Sequence, residues 1–417
     1  MLAVSTGSVL NPINSSIIAV ALVAIGHTFG AGAAATTWLI SALYLATAIG
    51  QPAMGRLAPS LGVLVVARVI LGLGTSAAYP AAMAMVRAQA RRLRTDPPGS
   101  VLGALAVAGQ VTMAVGPPLG GLLIALGGWR LTMAINIPLA AVGAGFALAW
   151  LPADEPARLR LRAFDLPGAA LFAATLTALL LFLMNLRTHP WWLLGVAAVL
   201  AATLTWRERA AHSPFIDVRM LASNRALVAT YLRFGVTMLV TYCFIYGWTL
   251  WLEQAAGKSV ATAGLLMMPS FAAAAGVAAL ASRSRRIWPP LAIGAAMLAV
   301  GSVSLFVLGS RSPLWILALV SIVFGIQNGL SVVTNQAAMY AQAPRGQTGA
   351  AAGLLRTFMY LGAIASAGIT GFAFGARATD AGLHQLTVIL TVASAVVLAA
   401  IFADRGLRRS VQRPRGD

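Results

Sequence analysis

Arg87-Ala88-Gln89-Ala90-Arg91-Arg92-Leu93-Arg94 sets four arginines in eight residues, between apolar runs at 63–86 and 101–126. Either run is long enough to cross a bilayer, which takes about 20 apolar residues. Arginine this dense beside a span stays on the cytoplasmic side, because short basic loops resist translocation. Outward from this loop, the other basic residues alternate. The gaps on its side hold Arg158, Arg160 and Arg162; Arg207, Arg209, Arg219 and Arg225; Arg283, Arg285 and Arg286; Arg345; and the tail Arg405, Arg408, Arg409, Arg413 and Arg415. The intervening gaps hold one each, Arg130, Arg187, Lys258, Arg311 and Arg377. Twenty of the 29 basic residues therefore share one face, against five on the other. The pattern predicts a multi-pass protein of the plasma (inner) membrane with a cytoplasmic C-terminus.

Composition agrees, with 59% hydrophobic and 9% charged residues, a balance foreign to a soluble chain of this length. The net charge of +19 is spread over one membrane face and forms no aromatic-interleaved basic patch, which argues against nucleic acid as a partner. The lone Cys243 excludes an internal disulfide and a cysteine-built metal site. The first apolar stretch has no basic segment before it and is expected to be a retained helix rather than a cleaved signal.

Spans are expected near 5–25, 37–55, 63–86, 101–126, 131–151, 166–186, 191–206, 226–252, 261–282, 288–308, 313–341, 347–374 and 383–403, about thirteen in all. Residues 152–165 and 207–225 are polar enough to be joints. The chain thus divides into an N-terminal bundle (1–151), a linker with two extra spans (152–210) and a C-terminal bundle (211–417). The linker spans are apolar all round, as expected of helices that face lipid or pack peripherally. Small-xxx-small spacings at Gly116/Gly120, Gly325/Gly329, Gly349/Gly353 and Gly371/Gly375 mark candidate close helix contacts.

Three segments carry a resemblance. Leu10-Asn11-Pro12-Ile13-Asn14-Ser15-Ser16, Arg68-Val69-Ile70-Leu71-Gly72-Leu73-Gly74 and Gly116-Pro117-Pro118-Leu119-Gly120-Gly121 resemble motifs of the major facilitator superfamily, in its fourteen-helix drug:proton antiporter subgroup. The resemblance implies an all-α fold of two bundles and proton-coupled efflux. It assigns Gly116, Pro117, Gly120 and Gly121 to the antiporter motif of the fifth helix. One departure is large. Gly55-Arg56-Leu57-Ala58 runs directly into Pro59-Ser60-Leu61-Gly62, where the subgroup has a charged loop and a third helix.

Charge exposes the same break. If 87–94 is inside, the run 63–86 begins outside, whereas 37–55 ends inside for a cytoplasmic N-terminus. Eight extended residues reach roughly 3.3–3.6 Å each, too little to recross about 30 Å of hydrocarbon. Either the first two spans are inverted, or 63–86 is irregular, or the gene carries a lesion.

Embedded arginines cost at least about 2.5 kcal/mol on insertion scales and need a partner or a wet cavity. Arg68, Arg233 and Arg356 meet that description. Arg68 shares a helix face with Gly72, Thr75 and Tyr79; Arg233 is followed by Thr237, Thr241, Tyr242 and Tyr246; Arg356 has Tyr360 one turn on. Asn328, Ser331 and Asn335 form another stripe, beside Gln327 and Gln336. Asn14, Tyr44, Gln51 and Gln110 are further candidates to line a pathway. Each could instead fasten helices together, since interhelical amide bonds are common in membranes. Trp248 and Trp251 sit near a helix end and read as an interfacial belt.

None of the ten carboxylates lies in mid-span, and Glu253, at one end of its helix, is the candidate proton carrier. An interior of arginine, tyrosine and amide repels lipophilic cations and suits neutral or anionic solutes. His27, His189, His212 and His384 are scattered and no carboxylate pair occurs, so neither an enzyme, a cofactor nor a metal site is implied. The sequence reads as a monomeric secondary transporter working by alternating access on a small-molecule substrate, with protons and the lipid bilayer as partners. A transport-inactive remnant, or a scaffold or sensor of the same fold, is the alternative.

Overall fold

The computed structural model describes residues 165–404, apart from 189, 212–213, 217, 285, 345–347 and 376, together with Leu123, Leu126, Leu131 and Pro138. The five spans read before residue 152, and the connection at 55–63, lie outside the described residues. The described part is helical: α1 (Leu166–Met184), α2 (Trp191–Ala210), the short α3 (Val218–Ser223), α4 (Arg225–Gln254), α5 (Val260–Ala281), α6 (Trp288–Ser304), α7 (Leu314–Gln342), α8 (Thr348–Phe374) and α9 (Asp380–Ala403). Each of the eight spans read from residue 166 onward is a helix here. Seven are long and apolar enough to cross a membrane. The other, α2, ends in a charged turn with Arg207 and Arg209.

Local chemistry sets the boundaries. Asp165, Asn224, Ser259 and Thr379 each cap a helix by accepting a backbone N–H from the first turn, which satisfies donors that have no intrahelical partner. Gly375, with φ of 60°, closes α8 in the left-handed region that a side chain disfavours. Pro269 lies inside α5 without ending it, as membrane helices tolerate.

The chain forms two compact units. One comprises Leu159–Lys258 and Arg283–Asp417; Ser259–Ser282, which holds α5, groups with Met1–Arg158 in the other. In the first unit α4 packs most extensively on α8 and also meets α7 and α9, while α6 packs on α7 and α9. The α1–α2 hairpin lies against α8, so the linker pair is peripheral in its own unit. Trp191, Trp192, Trp206 and Trp315 are 62–75% exposed. Trp191 and Trp206 sit fifteen residues apart on α2, about 22 Å at 1.5 Å per residue.

A polar clasp closes the linker. Arg207 pairs with Asp165 at 2.5 Å and with Glu208 at 2.8 Å. Asp165 and Glu208 also accept the backbone N–H groups of Phe215 (3.2 Å) and Ile216 (3.0 Å). The Arg207 guanidinium holds the Asp165 carboxyl well below the usual carboxylate range. These bonds pin the hairpin to residues Phe215 and Ile216, just before α3.

Two expectations are corrected. Trp248 and Trp251 are buried, at 1% and 0% exposure, and do not form a belt. They stack on each other at 5.2 Å and Trp248 on Phe244 at 5.5 Å, and the Trp251 Nε1–H donates to Asp380 at 2.9 Å. A position near a helix end does not fix which face a side chain takes. Two of the spaced glycines also fall away from close contact, since a Cβ on Gly353 or Gly371 would meet nothing within 4 Å. Close approach occurs instead at Gly362, where a Cβ would collide with the Gly235 carbonyl and lie 2.8 Å from the Leu239 nitrogen. Gly362→Val should therefore separate α4 from α8 and cost about 1–3 kcal/mol. Thermal unfolding of the purified protein should show a lowered midpoint for Gly362→Val and little change for Gly353→Val.

Candidate functional site

Three groups of polar residues sit in the first unit. The innermost is a seam between α4 and α7. Arg233, 5% exposed, donates from Nε to Asn335 Oδ1 at 3.2 Å and from a terminal nitrogen to Thr230 Oγ1 at 3.1 Å. Its other terminal nitrogen lies 3.8 Å from the Asp404 carboxylate. Thr230 donates in turn to Gln342 Oε1 at 2.7 Å, and the Asn224 amide donates to the Gln342 carbonyl at 2.8 Å. Further along, Thr241 donates to Gln327 at 3.2 Å and Gln327 to Ser331 at 3.2 Å. Asn335 donates to the Ser331 carbonyl at 2.9 Å. Burying amides and a guanidinium is tolerable only when they are bonded. Here they bond one another, so Arg233 and Asn335 tie α4, α7 and the end of α9 together. Asn328, on the same helix, is also buried.

The second group comprises Tyr242 and Tyr246 on α4 and Arg356 and Tyr360 on α8. Tyr242 and Tyr246 stack at 5.7 Å, one helical turn apart. All four side chains are partly accessible, with Tyr360 53% exposed. Arg356 reaches the Met359 sulfur at 3.9 Å, and its planar fork carries five N–H donors in all.

The third group lies at the opposite end of α4. Asp380 accepts from Trp251 Nε1 and, at 3.0 Å, from the Ser310 N–H. Gln254 accepts the Ala378 N–H at 2.8 Å through its side chain and an Arg377 guanidinium N–H at 3.2 Å through its backbone carbonyl. Glu253 differs, because its buried Oε1 has no hydrogen-bond partner. Of these three carboxylates at helix ends, Asp380 is held by N–H donors, Asp404 by Arg233, and Glu253 keeps an oxygen open.

The structure thus separates residues that the sequence groups together: Arg233 and Asn335 are interior ties, whereas the side chains of Tyr242, Tyr246 and Arg356 are partly accessible. Thr230, Gln342 and Asp404 were not singled out from sequence. Thr230 shares a face with Arg233 at i−3 and could have been found; the pairing with Asp404 is tertiary and could not. Asn14, Tyr44, Gln51, Arg68, Tyr79 and Gln110, and the motif residues Gly116, Pro117, Gly120 and Gly121, lie outside the described residues.

The family model for the Major Facilitator Superfamily matches residues 57–367. The chain is 30% identical to the uncharacterized MFS-type transporter YwoD of Bacillus subtilis (strain 168), over 96% of both proteins. It is 25% identical to the tetracenomycin C resistance and export protein of Streptomyces glaucescens, over 91% of this chain and 76% of that one. Among solved structures, a mutant form of the nucleoside transporter NupG aligns with a TM-score of 0.58 at 13% identity, over 96% of this chain and 90% of that one. That last likeness concerns the fold.

Proposed function

This chain belongs to the major facilitator superfamily of transporters, and we propose that it exports small amphipathic organic compounds, neutral or anionic, by alternating access, with protons as the coupling ion. One observation carries the substrate class. Among the described residues, the helix interiors present arginine, tyrosine and amide groups, and the carboxylates stand only at helix ends. Such an interior repels lipophilic cations and accommodates neutral and anionic solutes. Export rather than uptake is supported by relatives named for multidrug resistance and for tetracenomycin C export. Proton coupling rests on Glu253, whose open oxygen can take a proton. The bundle division at 152–210, a monomeric state, the plasma membrane and a cytoplasmic C-terminus complete the proposal.

We assign the chain to the fourteen-helix antiporter subgroup, one span short at 55–63. Transport would proceed by alternating access, with Asn14, Tyr44, Gln51, Arg68, Tyr79, Gln110, Arg233, Tyr242, Tyr246, Asn328, Asn335 and Arg356 as the candidate pathway residues. The short connection at 55–63 favours the rival reading, a transport-inactive member of the fold. Cells with the gene should accumulate less of a neutral and of an anionic fluorescent dye than cells without it, and Arg68→Ala should restore accumulation. Equal accumulation in all three strains would count against export.

A further inference from the structure

We propose that the outer face of α2 binds an anionic phospholipid, with Arg209 and Arg219 holding the headgroup phosphate and Trp206 seated beside the glycerol. The inference goes beyond the export reading and does not depend on it.

The two faces of α2 differ in what they meet. Leu193, Ala197, Leu204 and Glu208 are buried. Trp192, Gly195, Val199, Ala202, Trp206 and Arg209 follow one another at steps of three and four residues, which places them on the opposite face, and all six are exposed. A Cβ added to Gly195 would meet nothing within 4 Å, so this chain leaves the middle of that face open. The face is apolar up to Trp206 and turns cationic at Arg209, the order in which a phospholipid presents its acyl chains, glycerol and phosphate.

Charge decides the occupant. Arg207 takes the carboxylates of Asp165 and Glu208, which also accept the Phe215 and Ile216 N–H groups. Among the described residues, the Arg209 side chain is left without a partner. Arg219, exposed on α3, donates to the Arg209 backbone carbonyl, which brings a second guanidinium to the same turn. Such a pair suits a phosphate, because guanidinium groups give it paired N–H donors, and basic clusters beside a span draw anionic lipid. Trp206, 75% exposed one turn before Arg209, has the amphipathic ring that settles at headgroup depth. A second copy of this chain fits the face poorly. Two copies stand parallel in one membrane, so a two-fold contact through α2 would set Arg209 against Arg209, and like charges in register oppose association.

The test is native mass spectrometry of the purified full-length protein, titrated with phosphatidylglycerol and with phosphatidylcholine of the same acyl chains. The first phosphatidylglycerol should bind about tenfold more tightly than phosphatidylcholine. Arg209→Gln combined with Arg219→Gln should abolish that preference. Arg283→Gln combined with Arg286→Gln removes the same charge from the α5–α6 connection and should leave the preference in place. Arg209→Gln alone breaks no described hydrogen bond, so it should reduce the preference in a protein that folds. Equal binding of the two lipids by the wild type, or an equal loss in the two double variants, overturns the site, because the attraction is then one of overall charge. Lipid-free dimers that Trp206→Leu dissociates would assign the face to a second copy and overturn it as well.

Discussion

Glu253→Gln should lose transport driven by a pH gradient while retaining exchange of solute for solute. The substitution preserves size and polarity but removes the capacity to bind and release a proton. Glu253 is singled out by contrast with two other carboxylates at helix ends. Asp380 is satisfied by Trp251 and Ser310, Asp404 by Arg233, and of these three only Glu253 has a buried oxygen without a donor. Each proton crossing a gradient of one pH unit supplies about 1.4 kcal/mol, enough for about tenfold accumulation of a coupled solute. Accumulation by the variant should therefore fall about tenfold per unit of gradient, to the level of vesicles without the protein. Counterflow of labelled against unlabelled solute needs no net proton movement and should persist. A variant that accumulates solute as the wild type does would place coupling elsewhere in the chain.

Arg233→Ala should have the largest effect on stability. The guanidinium holds Asn335, Thr230 and the Asp404 carboxylate at one end of the bundle, so its loss strips donors from three elements at once. Breaking a buried pair by removing one partner costs about 3–5 kcal/mol. The Asp404 side chain is 20% accessible, which lets water offset part of that penalty and favours the lower end. The purified variant should unfold at a clearly lower temperature, with Asp404→Asn intermediate because the amide still accepts a hydrogen bond. An unchanged midpoint for Arg233→Ala would mean that the arginine is not a fastener.

Helix positions from residue 166 onward were legible in the sequence because each apolar run is bounded by charge, a cap or glycine. Asp165, Asn224 and Thr379 mark starts, and Gly375 marks a stop. What the runs could not reveal was which faces meet. Trp248 and Trp251 turned inward because Asp380, more than 120 residues away, supplies the acceptor for Trp251. Gly362 rather than Gly353 became the crossing point because contact requires two small residues facing each other, and Gly235 is its partner. The polar stripes were visible as composition, but the ties around Arg233 depend on Gln342 and Asp404, which reach Thr230 and Arg233 only in the fold.

Uptake into everted membrane vesicles, measured with the neutral or anionic dye that expressing cells exclude, tests proton-driven export most directly. Acidifying the vesicle interior should drive accumulation above that of vesicles lacking the protein, and collapsing the pH gradient should release the dye. Accumulation that is the same with and without the protein, or that ignores the gradient, would contradict proton-driven export by this chain.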